Sequence, residues 1–488
     1  MSTKIIVIGG GPGGYVAALR AAALGGIVTL IEKENLGGTC LNWGCIPSKI
    51  MKNSADIFLK FLKAENFGIK VQGSVSPDMK SLMKKKDKIL ESQRQGIAAL
   101  LKNSGIVLEK GRAVIKSKGV VEVVSKDDNK KELYYDKLII ATGTKPLNVA
   151  DFPFDHHHIL SSNDILQMDN IPESIVIVGG GVIGCEFAFI FSALGSKVTV
   201  VEALSRLLPL PSVDQDCSKL LLREMKKRKI DVFCDTIVKS SDIVKSSDMV
   251  KSSDIKDDQV SIHLEISPFT DNPKPKKLKT NVIYAQKMAV CIGRSALSSD
   301  LGLENIDLKT TPQGWIDANE KLETNVDGVH AIGDILGPQK VMLAHVASHE
   351  GIIAAQNAMG GKGVMDYDVI PGAIFTMPEI GTVGLSEAEA IKKGYEVEAF
   401  SVNFRTLGKA QAIDELAGTA KMIVEKKSNK VLGVHLIGAH ATDLIAEATL
   451  AIQKGLTAKD IANTIHAHPT LAEIMGEVSF KACGTLVH

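Results

Sequence analysis

Ile5-Ile6-Val7-Ile8-Gly9-Gly10-Gly11-Pro12-Gly13-Gly14 is the stretch that decides the fold. An unbroken apolar run reads as a strand buried on both faces, and it enters G-x-G-x-x-G without a spacer. A helical stretch to Ala23 follows, then a second strand, Val28–Ile31, ending at Glu32. Each part has its own task. Gly9 makes the turn, Gly11 lets a pyrophosphate approach the backbone at the helix N-terminus, and Gly14 allows close helix–strand packing. Glu32 can accept hydrogen bonds from a ribose 2′-OH. The arrangement recurs. Strand Ile175–Val178 leads into Gly179-Gly180-Gly181-Val182-Ile183-Gly184, and strand Val198–Val201 ends at Glu202. Gly179, Gly181 and Gly184 repeat the roles of the first loop, and the spacing from first glycine to acid is identical in both copies. One glycine motif arises by chance; two copies with flanking strands and a placed acid imply two dinucleotide sites.

Gly37-Gly38-Thr39-Cys40-Leu41-Asn42-Trp43-Gly44-Cys45-Ile46-Pro47-Ser48-Lys49 follows the first unit directly. In a reducing compartment two close cysteines serve catalysis or metal binding rather than stability. Positions i and i+5 of a regular helix stand roughly 8–9 Å apart at Cα, beyond the ~4.4–6.8 Å that a disulfide spans. If Cys40 and Cys45 are bonded, the backbone must leave the helix between them, and Gly44 supplies that freedom. A zinc half-site would need a second pair, whereas Cys185, Cys217, Cys234, Cys291 and Cys483 stand singly. The redox reading is the stronger one.

The string from Gly37 to Lys49 resembles the active-site signature of the flavin-dependent pyridine nucleotide-disulfide oxidoreductases. Leu41-Asn42 with Pro47-Ser48-Lys49 is most similar to the dihydrolipoamide dehydrogenases within them. Glutathione and trypanothione reductases usually carry Val-Asn and Pro-Lys-Lys there. The resemblance covers nearly the whole chain. Because the dithiol follows the first loop, that loop is assigned FAD, with Gly38, Thr39 and Lys49 beside the flavin. Thr324 to Asp334 resembles the family's second FAD motif, which implies that Asp334 contacts the flavin's polyol chain and that the backbone at Ala344 and His345 lies close by. Ala141-Thr142-Gly143 and Cys291-Ile292-Gly293-Arg294 are similar to the crossings where the chain leaves and re-enters the FAD domain. Thr142, Gly143, Gly293 and Arg294 are therefore expected at that cofactor. The second loop then takes the nicotinamide cofactor. Glu202 argues for NAD, since a carboxylate repels the 2′-phosphate of NADP, although Arg206 stands nearby. Glu186, a carboxylate in an apolar run, would be costly if buried unpaired. The family pairs it with the lysine that follows the dithiol, here Lys49.

Near the C-terminus, His466-Ala467-His468-Pro469-Thr470-Leu471-Ala472-Glu473 is similar to the family's second signature. Dithiol oxidation needs a base near neutral pKa, and imidazole fits. The resemblance assigns His468 as base and Glu473 as its carboxylate partner, with His466 structural. Thr470-x-x-Glu473 also reads as a capping box, a role Glu473 could share through its second oxygen. In the family this histidine completes the partner subunit's dithiol site, which implies an obligate homodimer. The C-terminus lacks the paired cysteines of mercuric and large thioredoxin reductases.

Length and composition agree. A chain of 488 residues predicts about three domains. With 57 basic and 56 acidic residues there is no global field for nucleic acid or an anionic membrane. The runs Lys84-Lys85-Lys86 and 274–279 read as solvated surface. Ser2-Thr3-Lys4 enters the first strand at once, so no targeting peptide and a cytoplasmic location are expected. Ile175 to Ala193 imitates a membrane span, but its glycines and Glu186 parse as strand, loop and helix.

The expected architecture is α/β: two Rossmann-like dinucleotide-binding domains and a C-terminal α+β dimerisation domain. The expected divisions are FAD domain 1–148, inserted NAD domain 149–285, return segment 286–352 and interface domain 353–488. Two features depart from the family. Ser295-Ala296-Leu297 replaces the usual Pro-Asn after Arg294. A six-residue unit beginning at Val238 repeats at Val244 and Val250, between candidate strands Ile230–Val238 and Gln259–Ile266, and reads as a low-complexity insertion in a surface hairpin. His156-His157-His158 reads as exposed loop, and His435 and His440 as structural. The activity implied is oxidation of a protein-bound dihydrolipoyl group by NAD through FAD, with a lipoyl domain and the acyltransferase core of a 2-oxo acid dehydrogenase complex as partners. The rivals are a reductase of another disulfide or metal, and a redox-inactive dinucleotide-binding subunit of such a complex.

Overall fold

The computed structural model describes residues 2–244, 258–275, 277–278 and 280–485. Strand β1 (Lys4–Ile8) is the centre of a five-stranded parallel sheet, flanked by β2 (Ile27–Glu32) with β3 (Val107–Lys110) beyond it, and by Lys137–Ile140 with Val329–Ala331 beyond that. Only Lys4 of β1 reaches solvent, as expected of a strand covered on both faces. Helix α1 (Pro12–Ala23) lies on this sheet and packs against Ala344–Ala358, a face of alanines and glycines where Gly351 meets the Gly13 backbone.

The second unit repeats the plan. Ser174–Val178 is central between Lys197–Val201 and Lys287–Val290, with Asp231–Phe233 and Ile159–Ser161 at the edges, all parallel. The chain passes between the two units at Thr144–Pro146 and returns at Arg294–Ala296, and these segments pair as an antiparallel ribbon. The third unit is an antiparallel sheet, ordered Gly372–Ile374, Glu379–Gly384, Val431–Gly438, Thr419–Glu425, Val397–Asn403, backed by helix Ala441–Gln453.

The helix Val182–Leu194 that imitated a membrane span is buried nearly all round, between its own sheet and helix α3 (Cys45–Leu62). No described helix is long and apolar enough to cross a membrane.

Several expectations change. Lys287–Val290 belongs to the second sheet, so the return begins after it rather than at 286. The division at 352/353 falls inside helix Ala344–Ala358, whose Ala354, Ala355 and Ala358 belong to the first core. The expected strand Ile230–Val238 is two strands: Asp231–Phe233 closes the second sheet, and Thr236–Val244 turns into a separate hairpin with Gln259–Ile266. The first copy of the six-residue repeat extends that hairpin, and the later copies lie almost wholly outside the described residues. Lys86 is not solvated surface. It is buried on α4 (Met79–Asn103) and donates to the Leu166 carbonyl at 3.0 Å, joining the first unit to the second.

One buried cluster ties the second and third units. Lys421 donates to both oxygens of Asp214 at 3.1 Å, to Asp216 at 2.9 Å, and pairs with Glu387 at 2.7 Å. Burial would raise the Asp214 carboxyl, but the Asp216 N–H and the Lys421 ammonium outweigh it and hold it below its ordinary value. A depressed carboxylate stabilises the fold above its unfolded pKa of about 4 and loses that contribution as pH falls through the folded value. Lys421→Met should cost roughly 3 kcal/mol at neutral pH, because Asp214 stays buried and uncompensated. Urea unfolding across pH should show this deficit shrinking on acidification, and a pH-independent deficit would contradict the charge argument.

Candidate active site

The redox turn is built as its sequence requires. Helix α2 (Gly38–Trp43) stops at Gly44, whose φ of −154° and ψ of −106° break the helix, and α3 starts afresh at Cys45. Asn42 pins α2: its amide donates to the carbonyls of Leu36 at 3.1 Å and Gly38 at 2.9 Å, and its oxygen accepts from Arg94 at 3.0 Å. Cys40 and Cys45 are both free thiols, one on each side of the break at Gly44. The pair is asymmetric. A hydrogen bond to Cys45, together with burial, pushes the Cys40 thiol far up. That hydrogen bond, aided by the Lys49 charge, lowers Cys45 despite the cost of burial. Cys45 also opens an 18-residue helix, where the dipole favours a thiolate.

One turn further along the same face stands Lys49. Its ammonium donates to Glu186 Oε2 at 2.8 Å and Oε1 at 3.0 Å and lies 4.1 Å from the centre of the Phe375 ring. Glu186 Oε1 also accepts from the Phe375 backbone N–H at 3.0 Å. The expected Lys49–Glu186 pair is therefore present, and the third unit joins it.

His468 and Glu473 are also paired: Nδ1 stands 2.7 Å from Oε1, while Oε2 accepts from the Thr470 N–H at 2.9 Å. One carboxylate thus does both jobs foreseen for it. Only half of the capping box forms, because helix Glu473–Ala482 begins at Glu473 itself and Thr470 Oγ1 donates to the Ala467 carbonyl instead. The His468 side chain is 75% exposed, which leaves its other nitrogen accessible. His466 is mostly buried and pairs with Glu447 at 3.0 Å, in keeping with a structural role.

Comparison with known proteins places this geometry. Residues 3–351 match the pyridine nucleotide-disulphide oxidoreductase model, and residues 370–479 match the dimerisation domain of the same group. The chain belongs to the pyridine nucleotide-disulphide oxidoreductase family. It is 38% identical to a dihydrolipoyl dehydrogenase of Chlamydia muridarum over 99% of this chain and 97% of that one. It is 35% identical to that of Geobacillus stearothermophilus over 100% and 98%, and 37% identical to one of Bacillus subtilis over 99% and 98%. The crystal structure of LpdA from Mycobacterium tuberculosis superposes with a TM-score of 0.85 over 98% of this chain and 99% of that one; at 24% identity this speaks for the fold.

Enzymes of this family use FAD and NAD(H), and the residues here fit both. At the first loop Gly9 has φ +102°, and a Cβ on Gly14 would lie 1.8 Å from the Gly9 carbonyl oxygen. Gly179 and Gly184 repeat this at +107° and 1.9 Å. Gly11 and Gly181 have no neighbour closer than 3.8 Å to a built Cβ, which leaves room at each helix N-terminus for a diphosphate. Thr142 Oγ1 is buried with no protein partner among the described residues, at the end of the sheet where FAD is expected. Gly143 and Gly293 both hold positive φ over open space. Asp334 accepts from Thr144 Oγ1 at 3.3 Å, and Arg294 bonds Thr144 Oγ1 at 2.6 Å and its carbonyl at 2.9 Å, with Thr39 Oγ1 at 3.5 Å. Ala344 opens the helix beside this network.

Each acid caps its own loop. Glu32 accepts from Gly10 N–H and Glu34 N–H at 2.7 Å, and Glu202 from Gly180 N–H at 2.6 Å and Leu204 N–H at 2.8 Å. Lone pairs remain on each carboxylate for a ribose hydroxyl. Arg206 turns away from this site: its guanidinium donates to the Leu208 and Leu210 carbonyls and to Ser218 Oγ. The basic residue that complicated the choice of NAD is thus occupied elsewhere.

Sequence reasoning missed Thr144 and Phe375. Thr144 sits one residue beyond the quoted crossing and carried its own signal, the side-chain hydroxyl after Gly143. Phe375 carried none, since its contact is a backbone N–H brought across from another unit.

Two outcomes follow from this geometry. Cys40→Ala removes the donor that lowers Cys45, so the ultraviolet thiolate absorbance of the reduced protein should titrate at higher pH than in wild type. An unchanged midpoint would mean that Cys40 does not set the Cys45 charge. Glu202→Arg should lower kcat/KM for NAD at least ~10-fold and narrow the preference over NADP, as attraction replaces repulsion at the 2′ position. Equal use of both cofactors by wild type would defeat that reading.

Proposed function

We propose that this chain is a dihydrolipoyl dehydrogenase that works as a homodimer, oxidising the dihydrolipoyl group of a lipoyl domain on the acyltransferase core of a 2-oxo acid dehydrogenase complex. The observation that carries the reading is the dithiol turn itself, broken at Gly44 so that Cys45 opens α3 one turn before the Lys49–Glu186 pair. The full-length likeness to curated dihydrolipoyl dehydrogenases supports the choice of substrate.

The chemistry starts from the Cys40–Cys45 disulfide. His468 Nε2 removes a proton from one substrate thiol, while Glu473 holds Nδ1 and steadies the imidazolium. The substrate thiolate attacks Cys40 Sγ, a mixed disulfide forms, and Cys45 leaves as a thiolate favoured by Lys49 and the start of α3. The second substrate thiol gives up its proton and attacks the substrate sulfur of the mixed disulfide. Cyclic disulfide departs and that second proton passes to Cys40, leaving Cys40 as the thiol and Cys45 as the thiolate. FAD, when bound, supplies the two-electron acceptor that returns the dithiol to a disulfide, with NAD as final acceptor. Glu32 and the first loop bind the one, Glu202 and the second loop the other, and Asp334, Thr144 and Arg294 orient the first.

His468 acts, on this reading, at the dithiol of the partner subunit, which accounts for its exposure in one chain. His468→Gln should reduce dihydrolipoamide oxidation by ~10²–10⁴, the range of general-base catalysis, while FAD content and reduction by NADH persist. Mixed dimers of His468→Gln with Cys45→Ser chains should regain activity, since one site then holds a wild-type dithiol and a wild-type base. Inactive dimers of verified mixed composition would refute the arrangement across subunits. An FAD-loaded wild type that cannot reduce NAD with dihydrolipoamide would refute the activity.

A further inference from the structure

Glu350, on helix Ala344–Ala358, is 1% exposed. Its carboxylate accepts from the Gly333 N–H at 2.6 Å through one oxygen and from the Tyr367 hydroxyl at 2.6 Å through the other. Among the described residues no Lys, Arg or His lies within ion-pair distance of it, and burial pushes its carboxyl up, opposed by these two hydrogen bonds. The Lys340 ammonium sits 4.5 Å from the centre of the Tyr367 ring, and its charge only weakly favours the Glu350 carboxylate. A carboxylate buried this far with only neutral donors is expensive, so what it holds is informative.

It holds the backbone of one turn. Gly333 begins the short 3-10 helix Gly333–Leu336 with φ +73°, and no side chain caps that helix from the residue before it. The next residue is Asp334, the acid linked through Thr144 to Arg294. Glu350 therefore grips the Ile332–Gly333 peptide, one residue ahead of Asp334, and Tyr367 steadies that grip. Tyr367 lies in the segment between helix Ala344–Ala358 and the first strand of the third unit, Gly372–Ile374. The connection runs from the linker, through a phenol and a carboxylate, to the turn that presents Asp334.

We infer that Glu350 is a positioning residue for FAD: clamped by Tyr367, it sets the Gly333–Asp334 turn and so ties flavin affinity to the segment that enters the dimerisation domain. This rests on the reading of Asp334 as a flavin contact. Tests use the full-length dimer, with FAD dissociation followed by the rise in flavin fluorescence, beside thermal midpoints of the FAD-free proteins. Glu350→Ala should weaken FAD binding roughly ten-fold or more, the scale of one lost hydrogen bond to a charged group, and Tyr367→Phe should weaken it by a smaller factor. Glu350→Gln keeps an acceptor for the Gly333 N–H and should restore most of the affinity. A merely structural role would lower the thermal midpoint of the FAD-free protein and leave the affinity of the folded fraction unchanged, which would overturn the inference. Asp334→Ala separates the two claims. If it weakens FAD binding while Glu350→Ala and Tyr367→Phe do not, this inference fails alone; if none of the three does, the assignment of Asp334 fails and takes the inference with it.

Discussion

A single buried carboxylate, Glu186, is where the three units of this protein meet. It starts on the helix behind the second glycine loop, takes the Lys49 ammonium from the first unit and accepts the Phe375 N–H from the third. A charge buried that deeply costs several kcal/mol unless its partners are in place. The lowest-energy arrangement is therefore one in which all three units are docked together. Lys49 is carried by α3 one turn after Cys45, so docking the units also fixes the dithiol. Lys52, on the same helix, extends the restraint by reaching Glu379 at 2.8 Å, and Glu379 in turn accepts from Thr442 at 2.7 Å. The shared core follows the same path, with Met51 and Ala55 of α3 packed among Phe187, Phe191, Ile374 and Met377.

Within that frame each charged group serves two ends. Glu32 and Glu202 tie down their loops through backbone N–H groups and keep lone pairs able to accept a further hydrogen bond. Glu473 orients His468 with one oxygen and holds the chain before its helix with the other. Arg294 binds Thr144 by side chain and main chain, and so joins the outgoing crossing to the returning one. The economy has a physical reason. Carboxylates accept several hydrogen bonds, and satisfying them from the backbone removes the cost of placing them beside a cofactor.

Much of the site could be read from the chain because its signals are local. The turn at Gly9, the close approach at Gly14, the break at Gly44 and the spacing of Cys40 to Lys49 are set by steric limits within a few residues, and the structure keeps each. The repeat of the same pattern at Gly179 to Glu202 identified two dinucleotide units for the same reason. What resisted reading lay at boundaries and long-range contacts. The strand expected at Ile230–Val238 divides because Cys234 and Asp235 leave the parallel sheet for a hairpin, a choice made by which neighbours are available for pairing. Lys86 looked like surface within a run of lysines, and its burial rests on the carbonyl of Leu166, 80 positions away, beside the ion pair with Asp87 at 3.1 Å.

The sequence by itself determined that two mononucleotide units, a dithiol turn and a histidine–carboxylate pair exist, because each depends on backbone freedom and side-chain chemistry over short spacing. Only the tertiary structure decided how they meet. Arg206 is spent on carbonyls, Phe375 supplies its N–H to Glu186, and Glu350 reaches the turn of Asp334. These contacts join residues whose separation in the chain carries no pattern, and their energies come from burying charge where a specific partner waits. Such a partner is fixed by packing, which one-dimensional spacing does not encode.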